Sequence, residues 1–209
     1  MKNYISTPVI RRLPRYCRFL TELHKNGVTR ISSRELSQKM GLTASQIRQD
    51  LNCFGGFGQQ GYGYNVADLR DEIAGILGIG HQYKLIIIGA GNLGHALAAH
   101  MPFERLGFSL VGIFDKKAAV AGQLVRGLPV RPMETLDEFC NIARPDAAAL
   151  CIPTPAAPEI CAALCRLGIK GVWNFTHYDI GMNHPGLVCE RVHLNDSLMT
   201  LCYEMSNPN

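Results

Sequence analysis

No stretch of this 209-residue chain approaches the ~18 consecutive apolar residues of a membrane span. The amino end also lacks the apolar run of a secretory signal, so the expectation is a cytoplasmic protein without a membrane partner. The eight cysteines (17, 53, 140, 151, 161, 165, 189 and 202) form no C-x-x-C and no paired Cys–His spacing, so no metal site is expected. Cys161 and Cys165 fall one helical turn apart and read as two small buried residues on an apolar helix face. No Cys–His or Ser–His pair has a local context that suggests an activated nucleophile. His100, His177 and His193 each read more readily as hydrogen-bonded structural residues than as catalysts. No enzyme activity is expected, and no catalytic residue is nominated.

What is present is a lopsided charge. Residues 1–65 carry ten Lys/Arg against three acids, a net of +7, whereas the remainder carries eleven bases against fourteen acids, a net of −3. A small basic module joined to a mildly acidic one points the first at a polyanion.

The basic part has the grammar of short helices. Pro14 is placed in a first turn, followed by the helical spacing of Tyr16, Phe19, Leu20 and Leu23, and Asn26-Gly27 ends the segment. Ser32-Ser33-Arg34-Glu35 is a capping box that opens a helix through Leu36 and Met40, stopped by Gly41. A second box, Thr43-Ala44-Ser45-Gln46, opens another with Ile47 and Leu51 inward. Two short helices about a glycine turn make a helix-turn-helix. Ser45, Gln46, Arg48 and Gln49 lie off the inward face, where a recognition helix presents base-reading side chains. The glycine- and aromatic-rich stretch from Phe54 to Val66 reads as a β-hairpin wing. A helix over Val66–Leu77 and a Gly78-Ile79-Gly80 hinge close the module.

The second part opens on Lys84–Ile88, a short apolar run of the kind buried on both sheet faces. Gly89-Ala90-Gly91-Asn92-Leu93-Gly94 follows at once and matches G-x-G-x-x-G, with helical spacing after it. A second run, Leu110–Phe114, ends in Asp115, about 20 residues past the last glycine. Gly89 permits the tight turn, Gly91 lets a pyrophosphate approach the backbone, and Gly94 lets helix and strand pack closely. The helix amino end offers unpaired N–H groups to phosphate. Asp115 can accept both hydroxyls of an adenine ribose and favours NAD+/NADH over their 2′-phosphates, a preference that Lys116 and Lys117 blur. Further strands are predicted at Leu128–Val130, Ala147–Ile152, Gly171–Phe175 and Leu187–His193, and helices at Leu136–Ile142, Glu159–Leu167 and Asp196–Met205. Ile152 and Pro153, at a strand end, could border the cofactor. The fold class is α/β: a winged helix-turn-helix domain over residues 1–79 and a doubly wound Rossmann domain over 80–194. A helix over 195–209 carries the apolar stripe Leu198, Leu201, Cys202 and Met205, for its own domain or for a second subunit. No substrate domain follows, which argues against a dehydrogenase.

These residues resemble the Rex family of redox-sensing transcriptional repressors. The resemblance rests on Arg12-Leu13-Pro14-x-Tyr16-x-Arg18, Arg30-Ile31-Ser32-Ser33-x-Glu35-Leu36, Gln46-Ile47-Arg48-x-Asp50-Leu51 and Phe54-Gly55-x-Phe57-Gly58. Gly61-x-Gly63-Tyr64, Gly89–Gly94, Phe114-Asp115, Gly168-Ile169-Lys170-Gly171 and Asn174-Phe175 continue it along nearly the whole chain. It implies a homodimer on double-stranded operator DNA, exchanged C-terminal helices, and release of DNA by NADH but not NAD+. Asn174 and Phe175 join the expected cofactor set, and Arg12, Arg15, Gln60, Gly61, Tyr62, Gly63 and Tyr64 the expected DNA set. The chain departs from the family at Gln49, Gln59 and Gln60, where cations are usual, and at His100, His177 and His193. Fewer cations predict weaker phosphate contact and a flatter salt dependence. A DNA-binding protein with altered nucleotide gating is the alternative.

Overall fold

The computed structural model describes residues 5–54 and 62–207. The chain divides into two compact units, Met1–Gly80 and His81–Asn209, each with its own apolar core.

The first unit is built from α1 (Thr7–Lys25), β1 (Arg30–Ile31), α2 (Ser33–Met40), α3 (Ala44–Asn52), β2 (Tyr64–Asn65) and α4 (Val66–Ile76). Helix α1 starts earlier than its sequence suggests: Pro8 occupies the first turn, and Pro14 lies inside the helix. A proline there deprives the carbonyl four residues back of its donor, but buried Leu13 and Tyr16 on either side hold the segment helical. Val9, Leu13, Tyr16, Leu20 and Leu23 make the inward stripe, and Phe19 is only half-buried. The Ser32 box closes in both directions: the Glu35 N–H donates to Ser32 Oγ at 3.1 Å, and the Ser32 N–H to Glu35 Oε2 at 2.8 Å. The second box closes only halfway. Thr43 Oγ1 accepts from the Gln46 N–H at 3.1 Å, while the Gln46 amide turns away to Asp50.

Of the expected wing, residues 55–61 lie outside the described residues. Among the described residues, Tyr64 and Asn65 form an antiparallel ladder with Ile31 and Arg30, a short strand between α1 and α2. The two-residue strand β1 was too short to announce itself by periodicity.

The second unit comprises β3 (Tyr83–Ile88), α5 (Asn92–His100), β4 (Phe108–Asp115), β5 (Leu124–Val125), β6 (Leu128–Pro132), α6 (Leu136–Ala143), β7 (Ala147–Leu150), α7 (Ala157–Arg166), β8 (Gly171–Asn174), α8 (Ile180–Asn183), β9 (Val188–Arg191) and α9 (Leu194–Ser206). The sheet order is β5-β6-β4-β3-β7-β8-β9, parallel except for the β5–β6 edge. Leaving out β5, the strands read 3-2-1-4-5-6, the Rossmann order, with the chain reversing direction across the sheet between β3 and β7. Ile86 and Ile88 pack into one core with Phe114 and Leu150, while Leu85 and Ile87 pack into the other with Ile113 and Ala149. That two-sided burial is why β3 is a continuous apolar run.

Helix α9 has no buried residue. Leu194, Leu198, Met199, Leu201, Tyr203 and Met205 are all exposed. Among the described residues, no helix is long and apolar enough to cross a membrane.

Candidate nucleotide cleft and DNA-facing surface

Strand register brings the fingerprint together. Ile88 sits beside Phe114 on one side and Leu150 on the other, so Gly89, Asp115 and Cys151 leave the sheet at the same edge. The Gly89 N–H donates to the Phe114 carbonyl and the Cys151 N–H to the Ile88 carbonyl, both at 2.8 Å. A cleft of about 330 Å³ opens there, lined by Gly89, Gly91, Asp115, Lys116, Ile152 and Pro153 of the expected set. Lys117, Met133, Cys151, Ala156 and Ile160 join it. Met133 follows β6, so only the strand order could have nominated it. An adjoining hollow of about 450 Å³ includes Ala90, Asn92, His95 and Gln123.

The three glycines have three different reasons. Gly89 stands at φ +99°, and a Cβ there would collide with the Cys151 carbonyl oxygen. A Cβ on Gly94 would collide with the Gly89 carbonyl oxygen. Gly91 is different: its φ of −66° suits any residue, and a Cβ would have nothing within 4 Å. Neither backbone nor packing requires glycine at 91. The open space above it, at the N-cap of α5 with no side-chain cap, is where a ligand's phosphates can approach the helix N–H groups.

Asp115 is already engaged within this cleft. Its Oδ2 accepts from the Ala90 N–H and its Oδ1 from the Lys117 N–H, each at 2.7 Å. Each oxygen keeps lone-pair capacity for a further donor such as a ribose hydroxyl. The two backbone bonds also fix the carboxylate against the glycine turn.

Four expected cofactor residues, Leu93, Gly94, Asn174 and Phe175, line neither cavity. Asn174 is fully buried; its Oδ1 accepts from the Thr176 N–H and hydroxyl, and its Nδ2 donates to the Tyr178 carbonyl. Its side chain shapes the turn after β8 and is not offered to a ligand. Phe175 packs edge-on against Trp173 with ring centroids 4.6 Å apart. Leu93 is exposed on α5 and lines neither cavity.

In the first unit, Asp50 reorganises the expected DNA-facing set. This fully buried carboxylate accepts from Arg12 Nε at 2.6 Å, Arg12 Nη2 at 2.7 Å, Gln46 Nε2 at 2.8 Å and the Tyr16 hydroxyl at 2.9 Å. Burial pushes its pKa up, but the hydrogen bonds from Arg12, Gln46 and Tyr16 outweigh that and hold it below the ordinary carboxylate value. Burial, then the bond to Asp50, raises the Tyr16 hydroxyl well above its usual range. Arg12 and Tyr16 therefore tie α1 to α3, Gln46 braces the same carboxylate from within α3, and the Arg12 and Gln46 head groups are both engaged. Ser45, Arg48 and Gln49 remain exposed along α3. Arg48 reaches Ser33 Oγ at 3.1 Å and lies near Tyr64, whose hydroxyl burial raises and the Arg48 charge lowers. Tyr62 is exposed, its carbonyl accepting from Arg30 at 3.3 Å; Gly63 is half-buried, and Arg15 lies over the Phe19 ring. Gln60 and Gly61 lie outside the described residues.

The second unit also holds contacts that the sequence did not announce. His177 and His193 stack, with centroids 5.2 Å apart and planes 2° from parallel. Cys161 is buried as expected, but Cys165 is exposed, and its Sγ lies 3.9 Å from His184 Nδ1.

Fold and site define a class: a winged-helix unit joined to a Rossmann unit with a cleft at its nucleotide edge. Residues 4–52 match a family model for a "DNA-binding protein N-terminus", and residues 80–178 one for a "CoA binding domain". The redox-sensing transcriptional repressor Rex of Thermoanaerobacter sp. (strain X514) is 52% identical over 98% of this chain and 91% of its own length. That of Clostridium tetani (strain Massachusetts / E88) is 47% identical over 98% and 97%. A crystal structure of RSP with beta-NAD+ and operator DNA superposes with a TM-score of 0.90 at 52% identity, covering 98% of this chain and 94% of that one. RSP with beta-NADH gives 0.89 at 49%, covering 98% and 96%. The chain belongs to the Rex family of redox-sensing transcriptional repressors.

Proposed function

We propose that this protein represses transcription as a homodimer bound to operator DNA in the cytoplasm, and that NADH, but not NAD+, releases it. Its likeness over nearly the full chain to a repressor solved with beta-NAD+ and operator DNA is the observation that supports this most. The pyrophosphate lies over Gly91 at the amino end of α5, beside Ala90 and Asn92. Asp115 accepts the adenosine ribose hydroxyls, and Lys116, Ile152 and Pro153 border the adenosine. Phe175 closes the far side from a turn that Asn174 holds. Ser45, Arg48 and Gln49 face the major groove, and Gln60, Gly61, Tyr62, Gly63 and Tyr64 join them in contacting the DNA. Arg15 meets phosphate, whereas Arg12 acts through Asp50 by tying α3 to α1, and Gln46 braces that carboxylate from within α3. Helix α9 exchanges onto the partner and covers its apolar face there. The dinucleotide is bound and not turned over.

Release requires that NADH prefer the DNA-free conformation, because a ligand of equal affinity for both shifts nothing. The test is fluorescence anisotropy on an inverted-repeat duplex selected by this protein from a random pool, titrated with NADH and separately with NAD+. Weaker DNA binding with NADH alone is expected. Equal binding under both would refute redox gating and leave the second reading, altered gating, which the stacked His177–His193 pair favours. Calorimetry with a coenzyme A ester would then identify or exclude that ligand class.

A further inference from the structure

The nucleotide cleft leaves unused a side-chain chain of three at the other end of α7. Cys165, in the last turn of α7, is exposed, and its Sγ lies 3.9 Å from Nδ1 of His184. The other ring nitrogen, Nε2, lies 3.3 Å from the Tyr178 hydroxyl. Thiol, imidazole and orienting hydroxyl stand in the order by which a base activates a nucleophile. Of the other seven cysteines, Cys202 is exposed on α9 but has no imidazole bonded to its thiol among the described residues, and the remaining six differ in another way. Burial pushes the thiols of Cys140 and Cys161 up to about 11 and that of Cys151 to about 12, and raises Cys17 and Cys189 as well. Cys53 spends its S–H on the Gln49 carbonyl at 3.3 Å.

We propose that Cys165 is a site of oxidation by hydroperoxides, with His184 as its base and Tyr178 holding the imidazole in place. The thiol lines neither cavity at the nucleotide edge, so the reagent must be small and need no binding pocket, and hydrogen peroxide meets that condition. The Cys165 proton passes to His184 Nδ1, leaving a thiolate beside an imidazolium whose Nε2–H donates to the Tyr178 hydroxyl. The thiolate attacks one peroxide oxygen; the S–O bond forms as the O–O bond breaks, and the leaving hydroxide takes the proton from His184. Sulfur loses two electrons, the peroxide gains them, and the products are a sulfenic acid and water. The helix works against this chemistry, since carbonyls at the carboxyl end of α7 disfavour a thiolate. His184 must outweigh them. Without it, Cys165 should be less reactive than a free thiol, whereas a purely structural S–H···N contact would leave it that unreactive even with His184 present.

The experiment uses the full-length protein. Limiting iodoacetamide followed by peptide mass spectrometry reads thiolate reactivity, and hydrogen peroxide with dimedone reads sulfenic acid. Cys165 should alkylate about tenfold faster than N-acetylcysteine amide at pH 7 and form the first dimedone adduct. His184→Gln should take it below the free thiol. Tyr178→Phe, which keeps the ring packing and every backbone bond, should fall between. Cys165 reacting no faster than the free thiol, or a rate unmoved by both substitutions, would overturn the proposal.

Discussion

Replacing Asp50 with asparagine should loosen the N-terminal unit far more than the near-identical size of the side chain implies. All four contacts to this buried carboxylate come from donors: two from Arg12, one from Tyr16 and one from Gln46. Asparagine turns one oxygen into an NH2 group. If that is Oδ2, it faces Arg12 Nε and the Tyr16 hydroxyl; if Oδ1, it faces Arg12 Nη2 and the Gln46 amide. Either way a donor meets donors, and the Arg12 guanidinium, only 27% exposed, loses its counterion. Removing one partner of a buried pair costs about 3–5 kcal/mol, and the partial exposure of Arg12 sets the lower end, about 3. In a unit of this size that lowers the melting midpoint by about 12–24 °C. The single tryptophan, Trp173, belongs to the second unit, so the two units can be followed separately. Circular dichroism should show an early helical transition, while Trp173 fluorescence melts as in the wild type, and operator binding should weaken because α3 loses its tie to α1. A variant whose early transition stays within about 2 °C of wild type would refute the reasoning. Because the Asp50 pKa is depressed in the fold, its contribution is present above the unfolded value near ~3.9 and is lost as pH falls through the folded one, so the network matters throughout the neutral range.

Gly91→Ala should leave the melting point within a degree or two but weaken NADH binding at least about tenfold by calorimetry, because the new methyl enters only the cleft. Gly94→Ala should instead destabilise the second unit, since its methyl meets the Gly89 carbonyl. Asp115→Ala should weaken nucleotide binding without unfolding the first unit; wild-type NADH affinity would remove the ribose contact. Arg48→Ala should cost about 1–3 kcal/mol of operator affinity if it reads a base edge, measured by anisotropy at fixed salt. Leu198→Glu combined with Leu201→Glu should give a folded monomer in analytical ultracentrifugation, because both side chains are exposed in the single chain.

What could be read from sequence was whatever is carried by neighbours in the chain. Gly89–Gly94 and the run before it lie within one strand-turn-helix, and the Ser32 box within four residues. What could not be read joins distant residues. Asp50 meets Arg12 across 38 positions and Tyr16 across 34, and Cys165 meets His184 across 19. Strand β1 exists because Tyr64 and Asn65 fold back onto it, not because Arg30-Ile31 has a pattern of its own. Gln46 is the instructive case. Its position off the apolar face was read correctly, yet a side chain off that face can still turn toward a buried acid four residues on. Periodicity locates a Cα on a helix; it does not say which acceptor the head group will find.

The two halves of the proposed switch are unequally complete in a single chain. Every residue lining the nucleotide cleft lies between Ile88 and Ile160, on strand ends, loops and the first turn of α7, all from one chain. Helix α9, by contrast, leaves six large apolar side chains in solvent. Binding is therefore a property of one subunit, whereas the response is a property of two. The monomer made by Leu198→Glu with Leu201→Glu should bind NADH with near wild-type affinity while its residual DNA binding becomes insensitive to NADH. If DNA binding by that monomer still fell on adding NADH, the signal would have to travel within one chain, and the exchanged helix would be a clamp rather than the relay.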